Sequence, residues 1–385
     1  MAKTGIAVTL ILLLSLAGLI AQSNPALSAP EEVKWSRVNI PTEGKLGGWM
    51  LARDSDIKHL TMSAGGTLYA YANPSGTSYT LFKSTDEGHS WSHTGRVEDE
   101  IVAMATDPDD DEIIYYATKS DVYKSSDAGE SFIQLPPSPG GAGNNNVEIT
   151  AIDIAHPDEH NVIIAGTEDA DNSEYGGIYL LEEDEELFPS WVNVEIGSYD
   201  VHSLALSPHF ADDAIITAVA TDETQTYVAY NYGTIGDWNT VELLDTSNHS
   251  FAITGASNIA LTSDFYEPFP LFVGVIGGNG GIYEVDENHT QRLNSINSEI
   301  ISLDLVDAAG TLKLMAGENN KAKVWYSDDG GDSWDLATKA PTGSSATYVL
   351  MAPDFASSGQ AYAATSGSES AVSYTLDDGT TWKQM

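Results

Sequence analysis

Apolar and polar residues alternate along most of this chain in short runs broken by turns, which predicts strands rather than helices. Four segments, 101–118, 149–167, 201–221 and 348–366, each read strand, Pro-centred turn, strand. Before each turn the residues alternate, as in IVAMAT or VHSLAL, which suits a half-buried strand. After it they become continuously small and apolar, as in VIIAGT or AYAAT, which suits a strand covered on both faces. Pro108, Pro157, Pro208 and Pro353 sit where a turn wants a fixed φ. Phe210, Phe265 and Phe355 recur at one place after three such turns, and we expect them to plug the undersides of their sheets.

A second pattern follows the strand-like runs TLFK, DVYK, KVWY and AVSY. Its copies are Ser84-Thr-Asp86-Glu-Gly88-His-Ser90-Trp91, Ser125-Ser-Asp127-Ala-Gly129-Glu-Ser131-Phe132, Ser327-Asp-Asp329-Gly-Gly331-Asp-Ser333-Trp334 and Thr375-Leu-Asp377-Asp-Gly379-Thr-Thr381-Trp382. Asp and Ser/Thr side chains can bond nearby backbone N–H groups and so close a tight turn. Glycine supplies a position with φ > 0, and the aromatic residue opens the next strand and packs between sheets. The aspartates are therefore read as structural, not catalytic.

This formula resembles the Asp box, or BNR repeat, of sialidases, sortilin-like receptors and propeller-type photosystem II assembly factors. The resemblance implies an all-β, seven-bladed propeller of four-stranded antiparallel blades. Between the second and third clear copies the pattern continues in degraded form, around Tyr179, Tyr227 and Tyr283, with fourth strands beginning near Trp191, Trp238 and Gln291. Taking Phe82, Tyr123, Tyr179, Val228, Tyr283, Tyr326 and Tyr374 as equivalent gives spacings of 41, 56, 49, 55, 43 and 48 residues, a propeller-like repeat with seven members. The segment 35–41, WSRVNIP, reads like the strand that follows a box, yet no box precedes it. We expect it to pair with the seventh blade as an N-terminal strand closing the ring, which removes exposed edges.

Residues 1–29 stand apart. Lys3 precedes an apolar run of 15 residues, 6–20, and then small and polar residues ending in ALSAP. That is the order of a secretory signal peptide, with an uncleaved anchor as the alternative, and it assigns the propeller to 30–385 and to the secreted or cell-envelope space. The chain has no cysteine, so no disulfide closes the fold. Sixteen basic residues stand against 57 acidic ones, a formal net charge of −41, and no Lys or Arg lies between Ser125 and Gln291. Such a surface repels nucleic acid and anionic membranes. It suits solubility in salty water or, alternatively, Ca²⁺ uptake by carboxylate oxygens.

In such a propeller the box turns share a face with the turns between first and second strands, so binding is expected on the opposite face, whose loops are free to vary. That face should carry 136–146, 167–177, 277–281 and Trp49. The candidate binding residues are Trp49, Asp169, Asp171, Asn172, Glu174 and Tyr175, a cluster of acidic oxygens beside an aromatic that could hold Ca²⁺ or stack on a sugar. The competing reading is a solvated acidic loop. The nine histidines show no ligand spacing for structural zinc, and no nucleophile, phosphate or dinucleotide motif occurs in a suitable setting. Asn248 and Asn288 open glycosylation-type triplets.

The resemblance to sialidases implies an arginine triad on the axis. The four arginines here are Arg37, Arg53, Arg96 and Arg292, and Arg37, Arg96 and Arg292 are expected on outer edges, so no triad assembles. The box-bearing xyloglucanase-like glucanases set acidic catalysts between two propellers, a cleft that one propeller lacks. The photosystem assembly factors imply a basic patch, the reverse of this surface. The sequence therefore points to an exported, non-enzymatic module that recognises glycan or extracellular protein. A glycoside hydrolase using paired carboxylates and a surface-layer component are the alternatives.

Overall fold

Among the described residues, twenty-eight strands fall into seven four-stranded antiparallel sheets, each built from consecutive strands in the order first, second, third, fourth. The structure, a computed structural model, describes residues 51, 55–72, 80–157, 160–183, 189–262, 270–277, 279–286, 289–293, 296–308 and 310–385. The first strands are Ile57–Met62, Ala103–Thr106, Val147–Ala155, Asp200–Leu206, Ser257–Leu261, Ile300–Ala308 and Thr347–Met351. Each touches the first strand of the next blade, and the seventh touches the first, so these strands ring a central axis and the fourth strands lie outermost. The protein is a seven-bladed β-propeller.

Burial explains the two sequence textures. Most first strands are half covered, Asp200–Leu206 of blade four being the buried exception, whereas second strands such as Leu68–Ala72, Ile114–Ala117, Ile215–Thr221, Leu271–Val275 and Ala361–Thr365 are buried throughout. A second strand lies in mid-blade with neighbouring blades on both faces, so only small or apolar residues fit. Gly317 is the sharpest case, since a Cβ there would stand 1.9 Å from the carbonyl oxygen of Thr347 in the next blade.

Polar groups also tie the inner ring. Asp153 Oδ2 accepts the N–H of Leu206 at 2.8 Å, Asn258 Oδ1 that of Leu303 at 3.1 Å, and Asp304 Oδ2 that of Met351 at 2.6 Å. Each bond joins one first strand to the next. Burial pushes the carboxyls of Asp153 and Asp304 up to about 6.

The four sequence-matched turns share one bond set. In the first, Ser84 Oγ donates to Asp86 Oδ1 at 2.9 Å and accepts the Gly88 N–H at 2.8 Å. Asp86 also accepts Ser90 N–H at 2.7 Å and Ser90 Oγ–H at 2.6 Å, and Trp91 Nε1 donates to Gly88 O at 2.9 Å. Asp127, Asp329 and Asp377 repeat the carboxylate's role on Ser131, Ser333 and Thr381. Trp334 and Trp382 repeat the indole's role on Gly331 and Gly379. The glycine is left-handed, as expected, but so is the residue before it: Glu87, Ala128 and Asp378 have φ of 59°, 53° and 56°. A side chain tolerates that conformation here because the carboxylate holds the turn on both sides. These turns do share a face with the turns between first and second strands, since Ala128 N–H bonds Glu112 O at 2.8 Å and Gly330 N–H bonds Leu312 O at 2.9 Å.

Three expectations need correction or lie outside the described residues. Phe82 and Tyr123 stand two residues before their box Ser, but Tyr326 and Tyr374 stand one before, so the seven are not all equivalent and these pairs face opposite sides of their sheets. The blade count is unaffected. Of the three phenylalanines, Phe355 is fully buried, Phe210 is only half-buried, and Phe265 is not described. The segment 35–41, assigned to ring closure, is not described either. The seventh blade takes all four strands from 347–384. The seam with blade one is held by Asp56 N–H to Ser370 Oγ at 2.7 Å, by Gly367 N–H to Asp56 Oδ1 at 2.8 Å, and by a shared core of Ile57, Leu68, Trp91, Tyr362 and Val372.

Candidate functional site: a loop-face acidic segment and a groove between blades three and four

The acidic segment lies where the sequence placed it, between the second and third strands of blade three, Val162–Asp169 and Gly177–Glu182. Two of its carboxylates hold the loop. Asp169 Oδ1 accepts Asp171 N–H at 2.8 Å, and Asp171 Oδ2 accepts Asn146 Nδ2–H at 2.9 Å. Blade four pins both ends, because Asp200 Oδ1 accepts Asp169 N–H at 2.8 Å and Gly176 N–H at 3.0 Å. Glu223 Oε1 accepts Ser173 N–H at 2.7 Å, where Ser173 is left-handed. Asn172 and Glu174 are exposed and Tyr175 half-buried. Burial, and then Glu223, Asp222 and Asp200, raises the Tyr175 hydroxyl. Trp49 lies outside the described residues. The structure thus joins Asp169 to Asp171 and leaves Asn172 and Glu174 facing solvent. Among the described residues no group of three or more His, Cys, Asp or Glu is placed to hold a metal ion.

The neighbouring loop 136–146 is anchored rather than free. Ala142 is buried in the core of blades two and three, and a Cβ on Gly140 would meet the Tyr179 ring at 2.2 Å. Nearer the axis, His202 Nδ1 lies 3.4 Å from Glu168 Oε2. Burial lowers His202 to about 4, so it is neutral at pH 7, while burial and then Asp200 and Glu148 raise Glu168. Arg96 pairs with Glu98 at 3.3 Å on the chain leaving blade one, and Arg292 lies on the outermost strand of blade five. Arg37 and Arg53 are not described.

A larger concavity lies on the opposite side of blades three and four. It is a groove of about 570 Å³ at the box-face edge. Four turns meet there: Pro157 and His160, Pro189 and Ser190, Phe210 and Ala214, and Gly233 and Ile235. Its floor is aliphatic, from Leu180, Val192, Val194 and Ile216. Val192 is 46% and Ile235 55% exposed, unusual for such side chains.

The groove lies at a joint between two blades that lack the regular Ser/Thr-Asp-Gly turn. Between blades one and two the later turn docks on the outgoing chain, with Gly95 N–H on Gly129 O at 2.6 Å and Lys83 Nζ on Ala128 O at 2.9 Å. Between blades six and seven, Thr338 N–H meets Thr380 O at 2.9 Å and Trp382 N–H meets Lys339 O at 3.0 Å. In blade four the equivalent turn is held instead by Asn231, whose Nδ2 donates to Thr234 O at 2.5 Å and Asp237 O at 2.9 Å. It reaches blade three through Gly236 N–H on Val194 O at 3.2 Å. The tryptophans have moved as well. Trp191 Nε1 donates to Pro136 O at 2.7 Å and Trp238 Nε1 to Val194 O at 3.0 Å, so each indole is tied to the connection before its blade rather than to its own turn. The wedge seen between blades one and two and between blades six and seven is missing from this joint. Sequence reasoning overlooked the groove, although the missing box, the Asn at 231 and the displaced tryptophans were its signals.

No protein-family model matches the sequence, and no curated protein matches it. Solved structures do. YCF48 from Cyanidioschyzon merolae superposes with a TM-score of 0.56 at 12% identity, covering 85% of this chain and 98% of that one. The GH74 xyloglucanase from Xanthomonas campestris gives 0.57 at 14% identity, covering 91% of this chain and 55% of that one, so this chain spans about half its length. The WD40 repeats of RRP9 give 0.52 at 12% identity, with 82% and 88% covered. At such identities the likeness establishes the seven-bladed propeller fold, shared by enzymes and non-enzymes alike.

Proposed function

We propose that this protein is an exported, non-enzymatic recognition propeller that holds a protein or glycan ligand outside the cell, and that its four regular turns are Asp boxes. The groove between blades three and four carries the reading. It is concave and mostly apolar, and among the described residues its ionisable lining residues are His160 and Glu182. Binding sites have that make-up. The acidic segment on the loop face supports the same reading, since Asp169 and Asp171 are engaged in loop bonds. The leader-like residues 1–29 and the net charge of −41 agree with export into a saline medium.

The test pairs two measurements on the purified protein. A panel of chromogenic glycosides and xyloglucan is incubated with it, and a glycan and extracellular-protein array is probed with it. The expected outcome is retention on the array with no product from any glycoside. Hydrolysis that persists in a preparation purified to homogeneity would replace this reading with the glycosidase one.

A further inference from the structure

The groove has a chemistry that selects among ligands, and we infer that it takes a peptide segment carrying one or two bulky apolar side chains flanked by lysine or arginine. This rests on the reading of the protein as a recognition module. Among the described residues the walls are aliphatic, with Phe210 the one aromatic lining residue. Sugars are gripped by stacked aromatic faces and convergent polar groups, whereas a Leu, Ile or Phe side chain is gripped by walls of this kind. A volume of about 570 Å³ is ample for two such side chains.

Charge fixes the flanks. Glu182 lines the groove, Glu195 leans over its rim with Oε2 3.1 Å from where a Cβ on Gly236 would stand, and Asp212 sits exposed between the lining residues Ala211 and Ala214. None of the three carboxylates has an ion pair among the described residues, and no Lys or Arg occurs from 126 to 290 to supply one. Contrast Glu183, one residue from Glu182, which is engaged by Lys124 and by Tyr115 Oη at 2.8 Å. An apolar floor inside an uncompensated acidic rim repels acidic segments and draws cationic ones, which raises association rates and sets specificity.

The test uses fluorescence anisotropy on the full chain with two dye-labelled peptides, each bearing Leu-Phe at its centre, one flanked by lysines and the other by glutamates. We expect the lysine-flanked peptide to bind and to weaken as salt rises, and the glutamate-flanked one to fail. Ile235→Lys and, separately, Glu182→Lys with Glu195→Lys should each weaken binding by about tenfold or more. Ile235 is exposed, so its replacement leaves stability within about 0.5 kcal/mol, and the variant's circular dichroism melt confirms that it is folded. Binding of the lysine-flanked peptide that both variants leave unchanged would overturn the site, as would no binding at millimolar protein. Equal binding of both peptides, lost in Ile235→Lys, would overturn the cationic preference while leaving a recognition groove. The glycoside panel reports independently on whether the protein is a recognition module at all.

Discussion

The ring divides into two arcs. Blades six, seven, one and two are contiguous across the seam, and each carries a box turn and lysines. Blades three, four and five have no box, and no cation precedes Arg292 on the last strand of blade five. Both arcs have the same four strands and the same buried second strand, so the box is not needed to form a blade. What it adds is at the joint. In blades six, seven and one the turn's tryptophan is buried with its Nε1–H returned to its own glycine, while blade two carries the half-buried Phe132 there and its turn lies against blade one. In the other arc the indoles hold the incoming chain, and a groove opens where the wedge would be.

Replacing the wedge itself should separate the arcs most. Trp382→Ala removes a fully buried indole and is expected to cost about 3–5 kcal/mol. Trp238→Ala removes a half-buried one and should cost about 1–2 kcal/mol, the lower range for partial burial. Equal losses in denaturant unfolding would mean that the two positions carry the same load and that the arcs do not differ in this respect.

Next comes the carboxylate. Asp86→Ala removes the acceptor of Ser84 Oγ, Ser90 N and Ser90 Oγ, and should cost about 2–3 kcal/mol, the range for hydrogen bonds to a charged group. Its carboxyl is held below the ordinary value because those bonds outweigh the opposing effect of burial. A depressed folded pKa stabilises above the unfolded value and is lost as pH falls through the folded one, so wild type and variant should converge in unfolding experiments below about pH 4. A gap that stays constant down to pH 2 would show that the charge is immaterial.

The smallest effect has the opposite sign. Asp153 is raised from 3.8 to about 6 by burial, so the fold prefers it protonated. Stability contributed by such a group is present at low pH and declines as pH rises from about 4 to about 6. Asp153→Asn keeps an oxygen for the Leu206 N–H and removes the ionisation, so at pH 7 it should match or exceed wild type by about 1–2 kcal/mol. The difference should vanish near pH 4, and a variant less stable than wild type at pH 7 would show that the ionised form is wanted there.

The architecture was legible in the sequence because repetition amplifies a weak local signal. Asp86, Asp127, Asp329 and Asp377 recur at one offset from a strand, and the Ala/Gly texture of second strands marks burial on both faces. The phase of the third strands was less legible, since Lys83 and Tyr326 occupy one register position with nothing in common chemically. The loop-face segment was found, but the bonds that hold it come from Asp200, Glu223 and Asn146, in other parts of the chain. The groove was hidden for a related reason. Its walls come from four turns spread over 157–235, each ordinary alone, and it arises from what those turns lack.

The one-sided placement of cations has a consequence for how the whole molecule behaves in a field. With every described lysine on the box arc, the disc carries an in-plane electric dipole superimposed on its large negative charge. Close to an anionic sheet such as a lipid headgroup layer or an acidic polysaccharide, it experiences a torque as well as repulsion. That torque turns blades three and four outward, so the groove points into the medium while the seam side faces the surface.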